Sequence, residues 1–345
     1  MNPVHIRMLG QGLAAPRFER PEEVVAHLGA VQAQEYRLMR WAVAMRTRKP
    51  SATAFRQAYD SGRIVRIHLL RGTWQLVSGE DYRWMLDLCA PKARSAILGW
   101  MHANHISIPD DEYLRIREIL QRCAADKGSV TKEDIVQALA ERDISMDDHR
   151  LSYHIRMAEL TGTLCSGDLH PMKATYALAD AKVPAGSPLE RDEALALLAR
   201  KYFLSHGPAT LEDYVWWSGM NIGDCRRGIA ALGNELQTVR WKGMDFFLHR
   251  DARTRGCRNG SALLLPPYDE YLIGYKSRGL VLPELHRHRA HNSTGNFYPV
   301  VLSDGVVTGC WKPFADRLTA DMFNNAAQPV ALEAEWQRYL KYKDK

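Results

Sequence analysis

Cysteine is scarce in this chain and never paired. The 345 residues hold six, Cys89, Cys123, Cys165, Cys225, Cys257 and Cys310, with no Cys-x-x-Cys among them, which argues against a thiol zinc site and against a disulfide framework. Such scatter fits small buried hydrophobes in a reducing compartment. Long apolar runs are missing too. None approaches the ~18 residues of a membrane span, and His5 and Arg7 break up Met1 to Leu13, so neither a membrane segment nor a secretory leader is expected. A cytoplasmic protein is the expectation. Charge of one sign is only mildly in excess: a formal net charge of +6 permits a polyanionic partner without demanding one. Metal-ligand patterns are absent as well. His286, His288 and His291 have no carboxylate or cysteine at ligand spacing, and Arg287 and Arg289 between them repel a cation, so no metal and no cofactor are expected. No heptad segment offers a coiled-coil dimer, which points to a monomer.

What is present is material for several cores. Hydrophobic content is 46% with 25% charged residues, ordinary for globular protein. From Pro21, suited to a first helical position and followed by Glu22 and Glu23, Val24, Val25 and Leu28 recur at helical spacing. Gly29 weakens that helix, so Val31 to Gln34 is expected as a short strand, with a second helix from Tyr36 to Met45. Pro50 stops it, Ser51 caps a third helix, Ala52 to Ser61, and Gly62 closes that one. Ile64 to Leu70 and Thr73 to Val77, around a turn at Arg71-Gly72, read as a hairpin with Val65, Ile67 and Leu69 inward and Arg66 and His68 on the other face. Helix, short strand, helix, helix, hairpin is the order of a winged helix.

That order recurs twice. In the second copy Asp111–Ala125, Gly128–Val130, Thr131–Arg142 and Asp147–Leu160 precede a wing of Thr163–Ser166 and Thr175–Leu178. In the third, Arg191–Ser205, Gly207–Ala209, Thr210–Gly219 and Gly223–Leu232 precede Leu236–Arg240 and Asp245–Leu248. A literal echo supports the repeat: Gly128-Ser-Val-Thr131-Lys-Glu133-Asp134 against Gly207-Pro-Ala-Thr210-Leu-Glu212-Asp213. Each threonine stands as an N-cap with an acid three residues on, close to a capping box. In the first copy the matching stretch is Val31-Gln32-Ala33-Gln34, where glutamine, a poorer cap, replaces threonine. A local inconsistency of this kind is where function is expected. After Arg250 the texture turns to short strands and turns, with Leu263–Leu265, Tyr271–Tyr275, Phe297–Leu302 and Val306–Trp311 as strands, before a closing helix, Ala331 to Tyr342. The expected fold is α+β and mostly helical: three tandem winged-helix units at 1–100, 101–185 and 186–250, then a small β-rich C-terminal domain at 251–345.

Several stretches together resemble the AlkZ-like and YcaQ-like winged-helix DNA glycosylases over nearly the whole chain. They are Val31-Gln-Ala-Gln34, Arg71-Gly-Thr-Trp74, Tyr202 to Ala209 leading to Trp216-Trp-Ser-Gly219, Leu265-Pro-Pro-Tyr-Asp-Glu270, and Asp304-Gly to Gly309-Cys-Trp-Lys312. The Gln-x-Gln form resembles the AlkZ-like branch. The resemblance implies tandem winged helices, cleavage of N-glycosidic bonds of alkylated purines, in some members unhooking of interstrand crosslinks, and a catalytic pair at Gln32 and Gln34. Gln75 stands where the family pattern has a histidine, which puts substrate range or rate in question.

Glutamine chemistry restricts the reaction. An amide has no pKa suited to a general base, so a neutral base would be poorly served. An N7- or N3-alkylated purine is already cationic and departs neutral. The protein then needs only to place a water and stabilise the oxocarbenium-like sugar, which amide oxygens can do. Side chains two apart share a side only on extended backbone, so the pair is expected on a strand. The same two amides could instead satisfy backbone groups at the junction. Glu35 is read as a solvated helix-start acid. Candidate contacts to double-stranded DNA with alkylated or crosslinked purines are Arg37 and Arg40 beside the pair, Arg66, His68, Arg71, Thr73 and Gln75 around the first wing, Arg150 and His154 on one helix face, and Arg250, Arg253 and Arg255 in a basic segment. Asp269 and Arg278 are a possible ion pair. The competing function is a non-enzymatic winged-helix DNA-binding protein or transcriptional regulator.

Overall fold

A computed structural model describes residues 2–314 and 317–343. Its packing divides the chain into two units, one formed by Met1–Phe55 with Leu195–Lys345 and one by Arg56–Ala194. Met8, Leu13, Trp41 and Met45 pack into the core of the C-terminal sheet, with Leu264, Tyr271, Val301 and Trp311. Among the described residues no helix is long and apolar enough to cross a membrane.

In the Arg56–Ala194 unit the second copy of the element order is realised almost residue for residue. Helix Asp110–Lys127, strand Val130–Thr131, helices Lys132–Ala140 and Asp148–Leu160, and strands Leu164–Ser166 and Thr175–Leu178 follow in sequence. Thr175–Leu178 lies between the other two strands, antiparallel to both. Ile116, Leu120, Ile135, Leu139, Leu151 and Ile155, spaced for one helix face each, make the core. The hairpin Ile64–His68 with Trp74–Ser78 belongs here too, in the register Ile64↔Ser78 to His68↔Trp74. All five residues of its first strand are buried, so it has no solvent face, and Arg66 and His68 lie inside.

In the other unit the third copy appears as helices Arg191–His206, Leu211–Ser218 and Ile222–Leu232 and the hairpin Leu236–Trp241 with Met244–His249. Ala209 and Phe247 exchange backbone hydrogen bonds of 3.0 and 2.8 Å, which fills the short-strand slot. Both echoing stretches form the capping box their sequences predict: Thr131 with Asp134 and Thr210 with Asp213. The C-terminal part is a four-stranded antiparallel sheet in the order Arg317–Met322, Val306–Phe314, Val300–Ser303, Ala262–Leu265. Helix Leu332–Lys343 covers it, Trp336 and Tyr339 meeting Trp311. One expected strand, Tyr271–Tyr275, is instead the helical turn Glu270–Ile273. Asp269 is the reason: its Oδ1 accepts the Tyr271 N–H at 2.9 Å and caps a turn where alternation alone suggested extension.

Candidate active site

The strand that begins at Val31 ends at Gln32, two residues short of expectation. Gln34 and Glu35 form a bend, and the next helix is Met39–Ala44, beginning three residues later than expected. Glu35 causes this. Its Oε1 accepts the Arg37 N–H at 3.2 Å and its carbonyl accepts the Met39 N–H at 3.0 Å, so Tyr36 to Leu38 are consumed by a turn. The two glutamines therefore do not present equally on one extended face. Gln32 is 4% exposed; Gln34 is exposed, and no described residue hydrogen-bonds its side chain.

Gln32 is held from behind by Glu270, a fully buried residue that the sequence reading passed over. Glu270 Oε1 accepts the Gln32 backbone N–H at 2.7 Å. Its other oxygen accepts the Trp217 indole N–H at 3.1 Å and lies 3.4 Å from His206 Nε2. Ser205 Oγ donates to the Lys201 carbonyl at 2.6 Å and lies 2.8 Å from His206 Nδ1. Tyr202 stacks on that ring at 4.8 Å. Burial pushes the His206 pKa below the usual histidine value, with Glu270 opposing the shift.

Around this centre lies a second layer of buried charge. Arg46 forks onto Asp269, Nη1 to Oδ2 at 2.9 Å and Nη2 to Oδ1 at 2.7 Å, and donates through Nε to the Gln11 carbonyl at 3.0 Å. Both partners are essentially unexposed. Asp269 thus pairs with Arg46 and not with Arg278, whose Nε donates to the Leu272 carbonyl at 2.9 Å. Arg7 donates to the Pro208 carbonyl and lies 3.7 Å from Asp213, whose Oδ1 accepts the N–H groups of Lys276 and Ser277 at 2.9 and 3.0 Å. These contacts fix residues 269–277, and with them Glu270. An exposed amide side chain, next to a backbone held by a buried carboxylate, can present a water to a reacting centre without itself taking a proton.

The other sequence candidates fall into three groups. Arg37, Arg250 and Arg255 are exposed in the unit that holds Gln32. In the same unit Arg40 is half-buried, 5.6 Å from the Tyr36 ring, and Arg253 donates to the Ala15 carbonyl at 3.1 Å. In the Arg56–Ala194 unit, Arg71 and Thr73 are half-buried at the hairpin turn, Arg71 with a left-handed φ of 57°. The third group is internal. Arg66 is 4% exposed with its guanidinium 3.7 Å above Trp74; His68 is 5% exposed with Nδ1 2.6 Å from Glu159; Gln75 is fully buried and donates to Thr73 at 2.9 Å. His154 is 1% exposed and shares Glu112 with Arg150, whose hydrogen bond is the main cause holding the Glu112 carboxyl down to about 2. In this arrangement Arg66, His68, Gln75 and His154 are buried. The alternation of the hairpin and the i, i+4 spacing gave no hint of the carboxylates buried opposite them.

Comparison with known proteins agrees with this architecture. The family described as DNA glycosylase AlkZ-like matches residues 25–342. A relative named interstrand DNA cross-link repair glycosylase, from Streptomyces sahachiroi, is 26% identical over 349 residues, spanning 95% of this chain and 92% of its own. The solved structure of the Streptomyces sahachiroi DNA glycosylase AlkZ covers 99% of this chain and 96% of its own with a TM-score of 0.78 at 23% identity, which shows a shared fold. With the family match running through nearly the whole chain, including the strand of Gln32 and the carboxylate that holds it, the protein belongs to the AlkZ-like DNA glycosylases, enzymes that hydrolyse N-glycosidic bonds.

Proposed function

We propose that this glycosylase releases cationic N7- or N3-alkylated purines from double-stranded DNA, with Gln32 and Gln34 placing the water, and that it unhooks interstrand crosslinks built on such purines. The observation that carries this reading is the exposed Gln34 side chain, unengaged by any described residue, next to a Gln32 whose backbone is fixed. Neither amide can act as a base, so the leaving group must already be charged. The crosslink arm rests on the relative whose name carries that activity. Contacts to the duplex are assigned to Arg37, Arg40, Arg71, Thr73, Arg150, Arg250, Arg253 and Arg255, and the three recurrences of helix, strand, helix, helix, hairpin are read as winged helices that wrap one duplex in a monomeric enzyme. Incubation with duplex carrying N7-methylguanine, then with a nitrogen-mustard crosslink, scored for abasic sites, tests it. Release of neither lesion by an enzyme that binds both duplexes would remove the reading.

A further inference from the structure

We infer that Glu270 is a positioning residue for hydrolysis, acting through the peptide that carries Gln32; the inference rests on the two-glutamine reading above. Three observations lead to it. The strand bearing Gln32 has only two residues, too short for its own ladder to fix a side chain to a fraction of an ångström. The bend at Gln34–Glu35 follows at once, so the junction has no cap of the kind Thr131 and Thr210 supply in the other copies. Glu270 provides the missing restraint: Oε1 takes the Gln32 N–H at 2.7 Å, and Oε2 is anchored by the Trp217 indole at 3.1 Å, in a site without solvent.

The choice of carboxylate over amide has a stereochemical reason. Gln32 N–H and Trp217 Nε1–H are both donors and arrive at different oxygens. A carboxylate accepts on both sides; a glutamine at 270 would turn its NH2 toward one of the two donors in either orientation. One of them would be left buried without an acceptor, and the strand or the indole would move to relieve it. Positioning errors near 1 Å can cost about 100-fold in rate.

The test is E270Q in the full chain, with single-turnover release of N7-methylguanine measured beside the affinity for an uncleavable abasic-analogue duplex. The inference predicts release slowed about 10- to 100-fold, duplex affinity within about twofold of wild type, and faster hydrogen exchange at the Gln32 amide. In a Q32A background E270Q should add less than about threefold, because the group it positions is gone. Wild-type release by E270Q, or a full multiplicative penalty on top of Q32A, overturns it. If E270Q does not fold, E270D keeps both acceptors but withdraws them by one methylene, and the same predictions apply. Failure is separable from failure of the two-glutamine reading. Wild-type release by Q32A and Q34A removes that reading, whereas wild-type release by E270Q beside a dead Q34A removes only the role of Glu270.

Discussion

The junction at Gln32–Gln34 and the junctions at Thr131 and Thr210 occupy the same place in three copies of one element order, and they are held in opposite ways. At the threonines the restraint is local: each side chain takes the N–H of an aspartate three residues on, and that aspartate returns the bond. At the glutamines the restraint comes from a carboxylate 238 residues away in sequence. Glu35 takes over the local turn by accepting the Arg37 N–H, the donor that a cap at position 34 would have used. The difference teaches that a strand-to-helix junction becomes available for chemistry once its side chain is relieved of capping. Remote restraint then replaces local restraint, at the cost of a buried polar network.

That contrast can be broken at several points. The largest stability effect is expected at the remote scaffold. Arg46→Met leaves Asp269 buried without its fork, next to Glu270, and should destabilise by about 3–5 kcal/mol, read as the urea midpoint; a loss below about 1 kcal/mol would show that the network does not hold this junction. Next comes an acid sensitivity centred on His27 in the first copy. His27 donates to the Gly10 carbonyl at 2.7 Å, and burial lowers its pKa from 6.5 to about 4. The unfolded ring binds a proton from about pH 6.5 downward while the folded ring does so only near 4. This stabilisation is therefore complete above pH 6.5 and lost as pH falls toward 4, by roughly 2 kcal/mol after allowing for partial exposure. Buried His206, lowered for the same reason, adds in the same direction. Urea titrations at pH 7 and 4.5 should reveal it in wild type and less of it in His27→Gln; equal slopes would contradict it. Smaller still, Thr131→Ala should cost about 1 kcal/mol by removing a cap, whereas Gln34→Thr should change stability by less than about 0.5 kcal/mol, since Glu35 already holds the Arg37 N–H. A gain near 1 kcal/mol from Gln34→Thr would mean the first junction could still be capped locally.

How much was legible follows from the range of each interaction. The second copy was readable almost to the residue, because the capping box at Thr131, the glycines that follow its first and third helices, Gly128 and Gly162, and apolar spacing are local signals. The echo between Gly128–Asp134 and Gly207–Asp213 located the third copy and, by contrast, the anomaly at Gln34. What sequence could not supply was pairing at a distance. Arg66, His68 and His154 read as a charged face because nothing local announces Trp74, Glu159 or Glu112 opposite them. Glu270 lay within a stretch used only as a family likeness, and its link to Gln32 spans most of the chain. The strand through Gln34 was overextended for a local reason that was missed: Glu35 was read as a solvated acid, yet its side chain accepts the Arg37 N–H and makes the turn.

The central claim is that an exposed, uncommitted amide does the chemistry at a junction fixed from elsewhere. It is tested most directly by single-turnover release of N7-methylguanine from duplex DNA by wild type and Gln34→Ala, with the urea midpoint and duplex affinity of each measured alongside. Release by the variant should fall at least about 100-fold, with stability within about 0.5 kcal/mol and affinity nearly unchanged. Release at the wild-type rate, with the same stability and affinity, would contradict the account.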